Sequence, residues 1–275
     1  MKKILKILGI LLVILLIAGA WFVFNPVDIR PDYLDGEITA ADKAKGKALM
    51  NEMEAAYGSR DNWLAHGTVS FVQIADWYED KLGLAGWEEL PQQLQMTCTL
   101  GTDNCKLNLL NGPNTDKIWN VENSEYYEMV QGGEKGIKED EKFMQKMVFK
   151  NYWFQFPFRI GEAPIISYAG EGTVKGESYD LVYATWGSEK ANRQYDQYIL
   201  YLDKETRLVE WLHFTIRDKL KFIHSTAQFT DFKTINGIVA PFNQYITTRS
   251  PEGDGSKFHE NRYQWIEFGG VRVER

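Results

Sequence analysis

The chain has 275 residues, of which 44% are apolar and 14% are aromatic, so it can bury a sizeable core and is not an intrinsically disordered protein. Its formal net charge of −7 argues against a nucleic-acid partner and against broad adhesion to anionic lipid surfaces. The aromatic share favours strands over helices, because flat rings pack well on a pleated surface. One large, strand-rich domain is sufficient to account for this length.

The N-terminal segment, residues 1–24, begins with Lys2, Lys3 and Lys6 and continues with 18 uncharged residues. At about 1.5 Å per residue, residues 4–24 are long enough to cross roughly 30 Å of hydrocarbon. We predict that this segment is a retained membrane anchor, because the apolar run continues through the aromatic residues 21–24. The alternative is a signal peptide cleaved after Ala20, since Ala18-Gly19-Ala20 is a small-residue site behind an apolar stretch.

In both cases the lysines hold the N-terminus in the cytoplasm, and the rest of the chain is exported. Because residues 1–24 contain three lysines and no acid, the exported part has a formal charge of −10. No cysteine lies near the possible cleavage site, which excludes a lipid on an N-terminal cysteine. We therefore divide the chain into an anchor or signal segment (1–24), a Pro-containing spacer (25–38) and one domain (39–275).

A helix is predicted directly after the spacer. Thr39-Ala40-Ala41-Asp42 is a near match to a capping box, with Asp in place of Glu. Apolar residues then recur at a spacing of 3.6 residues, and Gly58 stands where the helix is expected to stop. The helix is amphipathic, so its apolar stripe must pack on the rest of the domain. The stripe comprises Leu49, Met50, Met53, Ala56 and Tyr57.

The next part of the chain has the pattern of an antiparallel meander, with turn residues such as NGPNTD and ENS between short strands. The predicted strands are 68–77, 93–100, 104–110, 117–121 and 125–130.

The two cysteines of the chain lie in TCTLGTDNC. If residues 100–103 form the loop of a hairpin, Cys98 and Cys105 face each other on adjacent strands, about 4.5 to 5.5 Å apart at Cβ. An exported location permits oxidation, so we predict a cross-strand disulfide. Metal binding is the weaker alternative, because neither a histidine nor a third cysteine accompanies them. We expect neither a metal nor a cofactor.

A second helix is predicted from Glu139 to about Lys150. It carries Phe143, Met144, Met147 and Val148 on one side. The helix is expected to end before the aromatic stretch NYWFQFPF, because Pro157 interrupts helices and central strands.

The second half repeats the hairpin pattern more strongly. Asn236-Gly237 between two apolar runs is a strong hairpin signal, because both residues tolerate positive φ. We expect consecutive antiparallel pairing throughout, with ten or more strands in one sheet that must curl. The predicted strands are 165–174, 179–186, 194–202, 208–216, 223–232, 238–248 and 260–268.

Neither side of these strands is clearly polar. In 208–216, Leu212 and Phe214 lie on one side, and Trp211 and His213 lie on the other. A half-exposed sheet would alternate cleanly, so this sheet has one well-covered face and a second face that is only partly wet. Two helices are too few to cover so wide a sheet, and we predict that the remaining apolar surface forms a cavity.

The aromatic stretch 152–158 is the strongest candidate for the wall or gate of such a cavity, since rings supply contact area at small entropic cost. The alternative is ordinary core between a helix and the sheet, and the methionines could likewise be gap-fillers or core. The candidate ligand-binding residues are Met144, Met147, Trp153, Phe154, Phe156, Trp186, Trp211 and Phe214.

An enzyme is the weaker hypothesis. The chain contains no HExxH, GxSxG or P-loop motif, and no GxGxxG that opens a helix. His213 and His224 could form an acid/base site across adjacent strands, but strand histidines that are simply hydrogen-bonded or solvated are far commoner. Asp196, Asp203 and Glu205 are better explained as turn and surface carboxylates.

The elements DKETRLVEWLHFTIRD and FTDFKTINGIVAPFNQYI, with Gly237 and Pro241, resemble the second half of the periplasmic lipoprotein carriers of the LolA/LolB-like superfamily. The elements YDLVYATWG and YLDKETRLVEWL resemble an uncharacterised membrane-associated bacterial branch of it. The resemblance covers residues 40–268 and rests on fold-level motifs. It implies an α+β fold, in which a strongly curved antiparallel half-barrel of about 11 strands clasps two or more helices, one of them a lid. It also implies an apolar interior for acyl chains and no catalytic residues.

The chain departs from those carriers because it has neither a clearly cleaved signal nor a lipidated cysteine. The protruding apolar loop of the outer-membrane receptor has a candidate in GLAGW, residues 83–87. We expect a monomeric, noncatalytic module that binds a lipid, a lipoprotein acyl chain or another hydrophobic ligand. It would be held by a single-pass anchor in the inner membrane with its domain in the periplasm, or be secreted there after cleavage. The alternatives are a hydrolase or isomerase with a strand-borne histidine and carboxylate, and an envelope protein-interaction domain.

Overall fold

The computed structural model describes residues 11–16, 19, 24–34, 36–78, 89–130, 133, 136–137, 141–217, 221–248, 250–253 and 255–275. Most of the segment 4–24 and the loop 83–87 lie outside these residues. Within the part that is described, none of the helices combines the length and the apolar character that a membrane span requires.

Three α-helices follow the N-terminal segment, with short 3-10 turns at Arg30–Asp32 and Ile160–Glu162. The helices are α1 (Ala40–Ala56), α2 (Arg60–Ala65) and α3 (Glu141–Arg159).

The strands of the described chain form one sheet of fourteen strands, against the eleven or so that were predicted. The first half contributes β1 (Thr68–Trp77), β2 (Gln92–Thr99), β3 (Cys105–Leu109), β4 (Lys117–Glu122), β5 (Glu125–Val130) and β6 (Gly136–Ile137). The second half contributes β7 (Ile165–Val174), β8 (Glu177–Thr185), β9 (Gln197–Asp203), β10 (Val209–Thr215), β11 (His224–Ile235), β12 (Ile238–Thr247), β13 (Lys257–Phe268) and β14 (Val271–Glu274).

The order of the strands corrects the expectation of purely consecutive pairing. Neighbours in sequence do pair within each half, but β1 also pairs with β13, and this contact joins the two halves at the middle of the sheet. The edges are therefore β6 and β7, and α3 lies between them in the chain. Consecutive hairpins are readable from local turn chemistry, whereas a pairing between the first and last long strands leaves no local signal.

The β11–β12 hairpin forms as its sequence predicts. Asn236 and Gly237 have φ values of 50° and 82°, and the flanking pair is Ile235 opposite Ile238. Positive φ at both central residues matches the twist of the strands and fixes the register. The hairpin tip meets the end of α1, where the Val239 amide donates to the Tyr57 carbonyl at 3.0 Å.

Helix α1 begins at the predicted capping box. The Thr39 side chain accepts from the Asp42 amide at 3.2 Å, and the Asp42 carboxylate accepts from the Thr39 amide at 3.0 Å. Gly46 lies inside this helix, although glycine disfavours helices by about 1 kcal/mol relative to alanine. A Cβ at Gly46 would stand 2.5 Å from the backbone of β7, so the close packing of α1 on β7 requires glycine there.

The prediction that Pro157 ends the second helix is wrong. Helix α3 continues to Arg159, with Pro157 in its last turn. The side chains of Trp153, Phe156 and Phe158 are all buried by this continuation. Burial of such rings contributes about 1.5–3 kcal/mol each, which together exceeds the roughly 3 kcal/mol that an interior proline costs.

The helices α1 and α3 pack on one face of the sheet, which we call the inner face, and the main core lies between them and the strands. Stacked rings join α2 to α3, with Trp63 on Phe158 at 4.6 Å, and α3 to this face, with Phe154 on Phe71 of β1 at 4.4 Å. The α3 side chain Gln155 accepts from the Gly101 amide at 2.8 Å, which joins the helix to the β2–β3 turn. The C-terminal half of α3 is therefore built into the first half of the sheet.

The opposite, outer face carries a second apolar cluster, and the predicted spacer covers it. Ile29 is 1% exposed, and Val27, Tyr33 and Leu34 pack beside it on strands β8–β10. We call residues 27–34 the strap. The spacer predicted for residues 25–38 is thus packed against the domain, because its apolar residues find partners on the outward-facing side of those strands.

Cys98 and Cys105 are directly opposite each other on β2 and β3, as predicted. The Thr99 amide donates to the Asn104 carbonyl at 2.9 Å, so the cysteines form the adjacent non-hydrogen-bonded pair, where side chains are closest. Both are buried free thiols in this structure, and the disulfide stays a prediction.

Candidate functional site

A cleft of about 530 Å³ opens on the inner face between α3 and strands β9 and β10. Its volume is within the roughly 300–1,000 Å³ that is usual for small-molecule sites. The lining residues are Asp103, Val121, Ser124, Met144, Gln145, Val148, Phe149, Tyr152, Trp153, Arg159, Asp196, Tyr198, Phe214, Thr215 and Ile216.

One wall of the cleft is a face of α3. Met144, Val148 and Tyr152 follow one another at intervals of four residues, so they lie one above the other on the helix. Phe149 and Trp153 form a second row beside them, and Phe149 is 48% exposed. The same helix turns its other side to β1–β4, where Met147 is fully buried. Helix α3 therefore completes the core on one side and leaves an apolar wall on the other.

The facing wall comes from alternate residues of two strands in the second half. Tyr198 of β9 and Phe214 of β10 point to the inner face, and Ile216 follows at the end of β10. The Phe214 ring meets the Trp153 ring edge to face at 4.9 Å, which closes the floor of the cleft. Aromatic contacts of this kind hold both walls at a fixed separation.

Charged groups stand at one end of the cleft. The Arg159 guanidinium pairs with Asp103 at 3.2 Å and with Glu162 at 3.3 Å, so its charge is already balanced by two carboxylates. The Asp196 carboxylate accepts from the Thr215 hydroxyl at 3.0 Å and from the Arg217 amide at 2.7 Å. These charged groups are therefore paired at the margin, and most of the remaining lining is apolar.

Tyr152 is the exception. Its hydroxyl is shielded from solvent, and within the described part of the chain no group accepts a hydrogen bond from it. Burial raises the pKa of this phenol above its usual value of 10.0, which keeps it protonated as a donor.

The structure places the eight predicted ligand-binding residues in four different settings. Met144, Trp153 and Phe214 line the cleft. Met147, Phe154 and Phe156 belong to the core behind it, and Trp186 packs on the cleft residue Tyr198 at 6.1 Å. Their contribution to ligand binding stays a prediction.

Trp211 lies on the wrong side of the sheet for that prediction. Successive strand residues point to opposite faces, and Trp211 belongs to the outer cluster under the strap, whereas Leu212 and Phe214 belong to the inner core. Composition did not distinguish the two faces, because both are aromatic and both are buried in β8–β10.

The two histidines of the enzyme hypothesis also lie away from the cleft. His213 is 1% exposed on the outer face, where its Nδ1 shares a hydrogen bond with the Tyr33 hydroxyl at 2.6 Å. Its Nε2 is 2.7 Å from Nδ1 of His224. Burial lowers the pKa of His213 to about 3, which keeps the ring neutral. The arrangement fastens the strap, and it cannot reach a molecule in the cleft.

Several cleft residues were not among the eight predicted ligand-binding residues, among them Val148, Tyr152 and Tyr198. Val148 belongs to the apolar side of the predicted helix, and Tyr152 to the aromatic stretch 152–158 that was predicted to form the wall or gate. The signal for the first two was the spacing of four that begins at Met144. It was incomplete because the helix was expected to end at about Lys150, two residues before Tyr152. Tyr198 gave no separate signal, since aromatic residues lie on both faces of its strand.

Comparison with known proteins identifies the fold. Neither a protein-family model nor a curated protein matches the chain. Among solved structures, an outer membrane lipoprotein-sorting protein domain from Vibrio parahaemolyticus is 10% identical, covers 82% of this chain and 93% of its own, and has a TM-score of 0.50. A DUF1329 family protein from Desulfovibrio piger is 12% identical over the same shares, with a TM-score of 0.52. A LolA superfamily protein from Nitrosomonas europaea is 9% identical over 78% and 93%, with a TM-score of 0.48.

At such identities the likeness concerns the fold alone. It confirms the α+β architecture expected from the resemblance, an open and curved antiparallel sheet with helices on its inner face. The chain has a LolA-like fold.

Proposed function

We propose that the protein is a noncatalytic carrier or sensor that binds a lipid, a lipoprotein acyl chain or another hydrophobic ligand. The observation that carries this proposal is the apolar cleft of about 530 Å³ between α3 and β9–β10. The lipoprotein-sorting domain among the structural neighbours is consistent with it. The position of the two histidines favours binding over the enzyme alternative, because His213 and His224 pair on the other face of the sheet, away from the cleft.

The proposed location is the outer side of the inner membrane, with residues 4–24 as the anchor. The chain leaves that segment and reaches the sheet where the Val27 amide donates to the Lys221 carbonyl at 2.9 Å. This point is at the end of the sheet where β1 and β10 end and β2 and β9 begin, which we call the strap rim. An anchor at residues 4–24 would therefore hold the strap rim close to the bilayer.

The distribution of exposed apolar side chains supports this orientation. Five of the eight large apolar residues that are exposed in the described domain stand in turns or strand ends at the strap rim. Solvent-facing apolar residues gathered on one side of a protein mark interaction with a partner or a membrane. The five are Tyr78, Leu90, Leu110, Val130 and Tyr195.

The test of the binding proposal is native mass spectrometry of protein purified without detergent, followed by extraction of any bound molecule. Wild-type protein is expected to carry a hydrophobic ligand or to take up an added acylglycerol. Met144→Trp, which fills the cleft from the α3 wall, should reduce uptake by at least about tenfold, because it removes the contact surface of the ligand. Leu64→Trp on α2, which is 43% exposed and outside the cleft, is the matched control.

Two results would reject the proposal. One is wild-type protein that neither retains nor takes up any hydrophobic molecule. The other is equal uptake by Met144→Trp and Leu64→Trp, which would locate binding elsewhere. Capture of a protein in place of a lipid would favour the envelope-interaction alternative.

A further inference from the structure

The unpaired hydroxyl of Tyr152 gives information about the ligand. Phenylalanine at this position would make the same ring contacts, which include Phe156 edge to face at 6.2 Å. A buried donor without an acceptor lowers stability, and such groups in folded proteins are rare and call for an explanation. The hydroxyl is therefore able to donate to an acceptor that a bound molecule brings into the cleft.

The position of Tyr152 divides the cleft into two parts. Towards the N-terminus of α3 the wall is apolar, with Met144 and Val148. Towards its C-terminus stand the Arg159 and Asp103 side chains, and the Arg159 guanidinium lies 5.5 Å from the Tyr152 ring centre. Tyr152 thus lies between the apolar and the charged parts of the cleft, where the hydrocarbon chain of a bound amphiphile would meet its polar head group.

The charges around this boundary limit the kind of head. The Asp103, Glu162 and Asp196 carboxylates all act on the Tyr152 phenol in the direction that raises its pKa, and Arg159 is the cation that opposes them. Because the charge of Arg159 is balanced by the Asp103 and Glu162 carboxylates, Arg159 attracts an anionic ligand only weakly. A neutral acceptor oxygen fits this environment better than a carboxylate does.

We propose that the cleft binds acyl esters, with the chain against the apolar part and the ester carbonyl accepting a hydrogen bond from the Tyr152 hydroxyl. The inference rests on the proposed function and narrows its ligand to amphiphiles that have a neutral carbonyl at the base of the chain. The hydroxyl is sealed from solvent in this structure, so the bond forms as the ligand displaces the side chains that cover it. Tyr152 is then a specificity-determining residue.

A matched pair of ligands tests this directly. Monolauroylglycerol has an ester carbonyl next to its chain, and 1-O-dodecylglycerol has the same head and chain length without the carbonyl. Wild-type protein should bind the ester about five- to tenfold more tightly, which is the usual net effect of one buried hydrogen bond. Tyr152→Phe should bind the two ligands equally, with its affinity for the ether unchanged or slightly higher. Affinities can be measured by titration calorimetry.

The control is Tyr195→Phe, which removes the hydroxyl of a tyrosine that is 38% exposed and outside the cleft, and which should keep the preference. Equal binding of ester and ether by wild-type protein would overturn the inference, and so would a preference that survives in Tyr152→Phe. Either result leaves the proposed function standing if both ligands bind. If neither ligand binds to wild-type protein, the proposed function fails as well.

Discussion

The two faces of strands β8–β10 are both aromatic, but one is covered by another segment of the chain and the other borders an open cleft. The outer face carries Tyr183, Tyr201 and Trp211, and the strap covers it. The inner face carries Tyr198 and Phe214, and it faces α3 across an open cleft. A similar composition thus gives a sealed surface on one side and a binding surface on the other.

The difference lies in the tyrosine hydroxyls. Under the strap the Tyr201 hydroxyl donates to Glu252 at 2.6 Å, and the Tyr33 hydroxyl contacts both Tyr201 and His213. In the cleft, the Tyr152 hydroxyl has no acceptor among the described residues. Satisfied polar networks rigidify a structure, whereas an unsatisfied donor costs free energy unless another molecule supplies the acceptor. The tyrosine hydroxyls under the strap therefore contribute stability, whereas the Tyr152 hydroxyl is available to a ligand.

Arg217→Ala is expected to have the largest effect on the sealed face. Arg217 is 1% exposed and donates to the carbonyls of Val27 and Lys221 and to the Gln197 side chain. Removing it takes the donor from the Val27 carbonyl and one of two donors from the Lys221 carbonyl and the Gln197 side chain, and it empties the buried space that the side chain fills. The free energy of unfolding in urea should therefore fall by about 3 kcal/mol or more. Arg193→Ala, at an exposed position, should change it by less than about 0.5 kcal/mol. A loss below about 1 kcal/mol for Arg217→Ala would contradict the claim that buried contacts under the strap stabilise the fold.

The second effect depends on pH. The pKa of His213 is about 3 in the folded protein against 6.5 for the free side chain, because burial disfavours the charged ring beside Tyr33 and His224. Below pH 6.5 the unfolded chain binds a proton that the folded chain does not, so this site gives full stability above pH 6.5 and loses it as the pH falls towards 3.

Relative to His213→Gln, wild-type protein should therefore lose about 2 kcal/mol more between pH 8 and pH 5. Unfolding in urea at the two pH values measures this difference. The half-buried His224 and the nearby Asp32 carboxylate are present in both proteins, so their titration largely cancels in the comparison. Parallel pH profiles would contradict the assignment of His213 as a neutral, buried group.

The predicted disulfide tests whether the stability of the inner-face core can change without a change in ligand binding. Oxidation of Cys98 and Cys105 should raise the free energy of unfolding by about 2 kcal/mol, because it closes a short loop in the unfolded chain. The cysteines lie in the core behind α3 and do not line the cleft. Ligand affinity should thus be the same with and without reductant, and a thiol count by mass spectrometry reports the redox state. Two free thiols in protein taken from an oxidising compartment would contradict the predicted disulfide.

The smallest expected effect compares two tyrosines. Tyr33→Phe removes a hydroxyl that bonds with His213 and Tyr201, so it should lower stability by about 1 kcal/mol. Tyr152→Phe removes an unpaired hydroxyl and should leave stability unchanged or slightly higher. Thermal or urea unfolding of both variants gives the result. A larger loss for Tyr152→Phe than for Tyr33→Phe would mean that the roles of the two faces are exchanged.

Local chemistry made much of the fold predictable. The capping box at Thr39, the Asn236-Gly237 hairpin and the facing cysteines are each determined by residues that are close in sequence. The contacts that position the site are of another kind. The pairing of β1 with β13, the passage of α3 through Pro157 and the strap on the outer face all depend on burial between distant segments.

The cleft was predictable as a property of the sheet, because apolar residues on both strand faces outnumber what two helices can cover. The residues that line it were predictable only in part. Strand alternation separates Trp211 from Phe214, but the sequence does not say which of two aromatic faces the helices will cover. The structure shows which face borders the cleft, because Met144, Val148 and Tyr152 of α3 face β9 and β10.

Fluorescence quenching tests the central difference between the two faces most directly. A monoacylglycerol with a brominated chain quenches a tryptophan that it touches, and Trp153 lines the cleft while Trp211 lies under the strap on the other face. Wild-type protein and Trp211→Phe should show the same fall in emission on titration with this ligand. Trp153→Phe, with binding checked by calorimetry, should lose most of that fall. Quenching that persists in Trp153→Phe and disappears in Trp211→Phe would contradict the account.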